Sequence, residues 1–184
     1  IAMLATSAVG AIFSSCSPDF GIGGASDRFG QIEPKLLIAC DGYLYAGKRF
    51  DRLGIVRDLA AGMPSVIHTL VIPYLDDAPD LSRLPQPCLF DEAEGDAPLA
   101  DFVRVGFNDP LYILYSSGTT GAPKCIVHGV GGVTLQHAKE LRLHSDVRPE
   151  DRLFFFTTCG WMMWNWVVSG LMVGTPVILY EGNP

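Results

Sequence analysis

No two cysteines in this chain stand at the C-x-x-C spacing of a zinc or redox site. The five present (Cys16, Cys40, Cys88, Cys125, Cys159) are odd in number and widely scattered. They read as free, mostly buried thiols of a protein in a reducing cytoplasm. Basic residues are scarce as well: 13 Lys and Arg against 20 Asp and Glu give a net charge of -7 and a pI near 4.9. That balance argues against a nucleic-acid partner, whose electrostatic footprint is basic. It leaves a nucleotide ligand open, because a phosphate site needs only local backbone N–H groups and one or two cations. The four histidines have no Cys or carboxylate partners at ligand spacing, so no metal site is expected.

Also missing is an apolar run of the roughly 18 residues that a membrane span requires. The opening IAMLATSAVGAIFSSC ends like a lipoprotein signal but has no basic n-region and no initiator Met. It reads instead as a helix cut in its middle, and residues 177–184 stop just after an expected strand. Both ends are therefore expected to be truncations. There is no internal repeat and no low-complexity tract.

What is present is an apolar fraction of 48% with 18% charged residues, the balance of an α/β protein with buried strands. Short apolar runs at 35–40 (KLLIAC) and 65–72 (SVIHTLVI) read as strands, the first buried on both faces. A helical spacing over 50–61, stopped by Gly62-Met63-Pro64, lies between them. This alternation predicts βαβ units and mostly parallel strands flanked by helices. A short strand is expected at 11–15 and turn formers followed by a helix at 17–30. Residues 73–99 are rich in proline and acid and read as a surface excursion. Order resumes with strands at 111–115 and 124–128, a helix over 133–144, a strand at 152–158, a helix over 161–173 and a strand at 175–180.

The segment that carries chemistry is YSSGTTGAPK, residues 115–124. Its glycines, Gly118 and Gly121, let the backbone turn back and bring N–H groups to a ligand. The hydroxyls of Ser116, Ser117, Thr119 and Thr120 donate to phosphate oxygens, and Lys124 supplies a point charge. The string is not a Walker A loop, because Gly121 is followed by Ala122-Pro123-Lys124 and Pro123 forbids the helix that should start there. The same string would otherwise be a polar hairpin loop without a ligand.

This segment resembles the phosphate-binding signature of the adenylate-forming superfamily, which includes acyl-CoA synthetases, luciferases and peptide-synthetase adenylation domains. The resemblance extends along the chain through SPDFG, YAGK (45–48), SSGTTGAPK and TTCGWMMWNW, in the order seen in acetoacetyl-CoA synthetases. Acetyl-CoA synthetases come next. The resemblance implies that residues 1–184 are an incomplete large N-terminal AMP-binding domain, without the small C-terminal domain. It implies two half-reactions: a carboxylate attacks the α-phosphate of ATP, releasing pyrophosphate, and CoA then displaces AMP. ATP with Mg²⁺, CoA and acetoacetate are the implied small-molecule partners, with no membrane or nucleic acid. Lys124 and Thr119 are the implied catalytic groups, within a phosphate site formed by Ser116, Ser117, Gly118, Thr119, Thr120, Gly121 and Lys124. Cys125 departs from the many relatives with Gly there and is expected to face the core.

By position, Trp161, Met162 and Met163 correspond to the acyl-pocket wall of acetyl-CoA synthetases, with Trp164 and Trp166 as packing. From the residues alone, the aromatic and Met stripe equally reads as a core helix start. Tyr45 and Lys48 lie where acetyl-CoA synthetases present a basic turn to the CoA phosphates, and Arg49 beside Lys48 is a further cation that could meet phosphate. A solvated surface pair reads equally well. Two other functions stay open: a ligase for acetate, propionate or another short acid, and a non-catalytic nucleotide-binding module. The adenine, ribose and Mg²⁺ motifs are absent, so the 184-residue piece is expected to lack adenylation activity by itself.

Overall fold

The computed structural model describes residues 1–95, 97–116 and 121–182. Along the chain run α1 (Ala2–Ala8), β1 (Phe13–Ser14), α2 (Ile22–Phe29), β2 (Leu36–Cys40), β3 (Gly42–Tyr45), β4 (Lys48–Asp51) and α3 (Leu53–Ala61). They are followed by β5 (His68–Ile72), β6 (Pro87–Leu89), β7 (Pro110–Ser116), β8 (Lys124–Gly129), α4 (Val130–Lys139) and α5 (Met162–Val168). A π-helical turn at Glu140–His144 continues α4, and a 3₁₀ turn at Ser169–Val173 continues α5.

The chain divides into two compact units. The first comprises Ile1–Ser17, Asp101–Ser116 and Cys125–Glu181; the second comprises Pro18–Ala100, Ser117–Lys124 and Gly182–Pro184. The first holds a three-stranded sheet of order β1-β7-β8, in which β1 and β7 run parallel with Phe13 opposite Tyr112. Its core gathers Leu141, Val147 and Val173, with Leu153 and Trp166 packed against them. Arg142 clamps this region by donating to the Val147 carbonyl at 3.2 Å and the Val173 carbonyl at 2.6 Å.

The second unit is built on a parallel sheet of order β2-β5-β6. Helix α3 covers it, burying Leu53, Val56, Leu59 and Ala60 at the three-to-four-residue spacing of one helix face. The parallel α/β architecture expected from the sequence is thus the one observed.

Several boundaries differ from expectation. Phe50 and Asp51 belong to β4 rather than to a helix, because the antiparallel hairpin β3–β4 claims them: Phe50 stacks on Tyr43 with ring centroids 5.1 Å apart. The hairpin turns through Ala46 (φ 48°) and Gly47 (φ 73°), the two positive values that match the twist of the strands. Helix α3 then begins behind Asp51, whose carboxylate accepts the Leu53 N–H at 3.1 Å. Strand β2 is not buried on both faces, for Leu37 is buried while Leu36 is exposed. The proline-rich stretch contains β6, since Pro87 starts that edge strand, where its missing N–H costs no ladder bond. The strands expected at 152–158 and 175–180 reduce to one parallel rung, Leu153 to Val177. Phe154, Phe155, Phe156, Ile178, Leu179 and Tyr180 around that rung remain exposed.

Candidate functional site

The candidate phosphate segment occupies the connection between two sheet neighbours: β7 ends at Ser116 and β8 starts at Lys124. Ser117, Gly118, Thr119 and Thr120 lie outside the described residues. The flanks are defined by packing. In β7, Tyr112 and Leu114 point inward and are buried, while Ser116 is half-buried at the strand's end. Burial pushes the Tyr112 phenol up to about 12. Its ring lies 5.2 Å from that of His128 on β8, and burial lowers the His128 imidazole below its ordinary value. Close to the segment's first residue, the Ser14 hydroxyl donates to the Ile113 carbonyl and meets the Tyr115 hydroxyl, each at 2.9 Å.

On the exit side Gly121 has φ +147°, a conformation that side chains rarely tolerate, and among the described residues nothing would crowd a Cβ there. The Pro123 carbonyl accepts a 2.8 Å hydrogen bond from the Gln31 amide, which follows α2. Gln31 is separated from Pro123 by 92 positions, and nothing in its local sequence marks it. Lys124 emerges exposed at the first position of β8, and Cys125 beside it is half-buried.

The segment TTCGWMMWNW forms the entry to α5. Trp161 and Met162 are exposed, and Met163 is half-buried. Trp164 and Val167, one turn apart on α5, instead line a cleft of about 190 Å³ with Phe154, Phe155, Phe156 and Tyr180. The structure therefore separates Trp161, turned to the surface, from Trp164, which walls the apolar space. Trp166 is half-buried against the Leu141 cluster. The run of three phenylalanines was the sequence signal for this cleft, and strand spacing alone did not single it out.

Tyr45 and Lys48 face each other across the β3–β4 turn as the last cross-strand pair, both exposed. Arg49 does not extend freely beside them; it donates to the Leu75 carbonyl at 3.1 Å and pairs with Asp76 at 3.0 Å. The tip thus presents Lys48 as its cation and a phenol as its neighbour.

Among the described residues, no group of three or more His, Cys, Asp or Glu is placed to hold a metal ion. None of their helices is long and apolar enough to cross a membrane. The five cysteines form no disulfide.

Comparison with known proteins places these features in a family. The model of the AMP-binding enzymes matches residues 1–184. The acetoacetyl-coenzyme A synthetase of Rhizobium meliloti (strain 1021) is 53% identical over 193 residues, covering 99% of this chain and 28% of that protein. The malonamoyl-CoA synthetase of Penicillium aethiopicum is 46% identical over 192 residues, covering 100% of this chain and 27% of its own length. A solved structure, the acetoacetyl-CoA synthetase from Streptomyces lividans, superposes with a TM-score of 0.93 at 44% identity, covering 100% of this chain and 28% of that one. The chain spans about 28% of the length of the acetoacetyl-CoA synthetases it matches. With the family model running over every residue and the fold shared at that TM-score, the chain belongs to the AMP-binding enzyme family.

Proposed function

We propose that the protein to which this chain belongs is an AMP-forming acid–thiol ligase that joins acetoacetate to CoA. The observation that carries the reading is a chain matched from end to end by acetoacetyl-CoA synthetases, with YSSGTTGAPK set between β7 and β8 and Lys124 exposed at its exit. The names of two relatives narrow the acid. Acetoacetate and malonamate share a carboxylate with a second carbonyl two carbons away, which favours a short 3-oxo acid over acetate or propionate.

In the proposed chemistry the acetoacetate carboxylate attacks the α-phosphorus of ATP, and the bond to pyrophosphate breaks. The task of residues 116–124 is electrostatic. Backbone N–H groups and the hydroxyls of Ser116, Ser117, Thr119 and Thr120 hold the β- and γ-phosphates, while Lys124 balances the charge that grows on leaving pyrophosphate. Fixed dipoles and a fixed cation need no reorganisation at the moment of reaction, which is why such groups lower the barrier. In the second step the CoA sulfur attacks the acyl carbonyl, the thiol proton departs and AMP leaves. Lys48 and Tyr45 at the hairpin tip receive the CoA phosphates, and Trp161, Met162 and Met163 shape the acyl side. Mg²⁺ enters as the counter-ion of ATP. The described residues offer no carboxylate cluster for it, so no step is assigned through the metal.

The test is acid-dependent ATP–pyrophosphate exchange by the complete protein with acetoacetate, acetate, propionate and butyrate. Exchange strongest with acetoacetate supports the proposal. Exchange led by another acid keeps the ligase and moves the substrate, and no exchange with any acid leaves a non-catalytic nucleotide-binding module. The 184-residue piece alone is expected to show no exchange.

A further inference from the structure

Asp41 is a carboxylate almost wholly removed from water: it is 1% exposed, at the junction of β2 and β3. Taking a charge out of water costs several kcal/mol unless donors surround it. Here three consecutive backbone N–H groups converge on the two oxygens. Tyr74 donates to Oδ1 at 2.9 Å, Leu75 to Oδ1 at 2.9 Å and to Oδ2 at 3.0 Å, and Asp76 to Oδ2 at 2.8 Å. The main chain of Asp41 is fixed too: its N–H donates to the Ile72 carbonyl at 3.1 Å, and its carbonyl accepts from Arg52 at 2.7 Å.

The segment caught by Asp41 is the one that holds Arg49. The Leu75 carbonyl and the Asp76 carboxylate are the two acceptors of the Arg49 guanidinium. Gly42, next to Asp41, lets this segment come close, because a Cβ there would stand 2.2 Å from Leu75 Cδ1. A closed path therefore runs from Asp41 through residues 74–76 to Arg49, and from Arg49 along β4 to Lys48. Every link is a hydrogen bond or a covalent step.

We propose that Asp41 is a positioning residue for the CoA phosphates. Through the 74–76 segment it fixes the β3–β4 hairpin, so that the backbone carrying Lys48 need not be ordered on binding. An exposed two-stranded hairpin is marginal alone. Ordering the strands that carry the cation would subtract from affinity, and a pre-set hairpin avoids that loss. The brace also engages Arg49 in an ion pair, which leaves Lys48 as the group aimed outward. This inference rests on the proposed role of the hairpin in CoA binding.

The test compares two steps of the complete protein, since pyrophosphate exchange proceeds without CoA whereas thioester formation requires it. In Asp41→Asn one acceptor oxygen becomes a donor facing the N–H groups. KM for CoA is expected to rise about five- to tenfold, well beyond any fall in acetoacetate-dependent exchange. Equal losses in both assays, or no rise in KM for CoA, overturn the proposal. If Asp41→Asn gives no folded protein, Arg49→Met cuts the same path from its exposed end. A rise in KM for CoA there supports the brace, and an unchanged KM overturns it. Lys48→Ala separates the two levels. If it leaves KM for CoA unaltered, the hairpin is not the CoA contact and the underlying reading falls. If it raises KM while Asp41→Asn does not, only the role of Asp41 is lost.

Discussion

The imidazole of His137 on α4 and the hydroxyl of Ser169 lie 2.7 Å apart, and their roles are fixed by a third group. Ser169 gives its single proton to the Asn165 carbonyl at 3.0 Å, so Nδ1 of His137 must be the donor and Nε2 is left without a proton in the neutral ring. Protonation would place a charge on a buried ring that is already committed on its other side.

This arrangement predicts loss of stability in mild acid. Burial lowers the His137 pKa below its ordinary 6.5, with Glu140 opposing the shift and His128 reinforcing it. As pH falls, the unfolded chain takes up the proton before the folded one does. The contribution of neutral His137 is therefore complete above pH 6.5 and is lost progressively as pH drops toward the folded value. Melting curves between pH 7.5 and about 5 should show a fall in Tm that is shallower in His137→Gln. Parallel slopes for the two proteins would reject the assignment.

Lys124→Ala in the complete protein should slow acetoacetate-dependent pyrophosphate exchange about 100-fold or more, the cost of removing one well-placed electrostatic group. Its exposed position means that Tm should hardly move. An unaltered exchange rate would show that residues 116–124 do not form the phosphate site.

Two tryptophans near the entry to α5 should behave differently. Trp161→Gly removes a side chain 64% exposed, so it should cost little stability, and on the proposed acyl-side role it should broaden acid preference toward longer 3-oxo acids. Trp164→Ala empties a wall of the apolar cleft and should destabilise the fold by about 2 kcal/mol. Exchange rates across a chain-length series, with Tm for each variant, separate them. A preference that follows Trp164 and ignores Trp161 would move the acyl wall to the cleft.

The hairpin turn offers a gain. Ala46 at φ 48° carries a left-handed conformation that costs a residue with Cβ about 1 kcal/mol. Asn adopts it more readily and precedes Gly47 in the pairing preferred for such turns. Ala46→Asn should raise stability by about 0.5 kcal/mol in urea unfolding, and a lowered midpoint would contradict the turn geometry.

Gly42→Ala should do the reverse. The added methyl would approach the Phe50 carbonyl to 2.4 Å, and that carbonyl is backbone of the paired strand and cannot swing aside. A loss of about 2 kcal/mol or more is expected by the same unfolding assay. Wild-type stability would mean that β3 and β4 stand further apart at Gly42 than this contact with the Phe50 carbonyl implies.

The sequence disclosed what repeats locally. Tyr112 and Leu114 alternate inward along β7, and Leu53, Val56 and Ala60 recur along α3, so both elements could be read from spacing. Gly118 and Gly121 with their hydroxyl neighbours marked the connection between β7 and β8 for the same reason. The β3–β4 hairpin escaped because Ala46-Gly47 lacks the usual Asn-Gly signal and because helical spacing over 50–61 ran across Phe50. Strand β6 was hidden by Pro87, a residue that argues against a strand unless it begins an edge. Asp41 gave no sign either, since its partners are main-chain N–H groups more than thirty residues away and backbone carries no letter code.

The pairing of β1 with β7 has a consequence for how the polypeptide reaches this structure. Ser14 bonds to the Ile113 carbonyl across 99 positions, so the two-residue strand β1, once made, waits about a hundred residues for its partner. The β2-β5-β6 sheet and the hairpin lie within residues 36–89 and can close meanwhile. Chain entropy thus orders assembly: contacts of short range form early, and the sheet carrying the ends of the YSSGTTGAPK segment is completed late. In a growing nascent chain, β1 and β7 would pair only after the β2-β5-β6 sheet and the hairpin had been free to close.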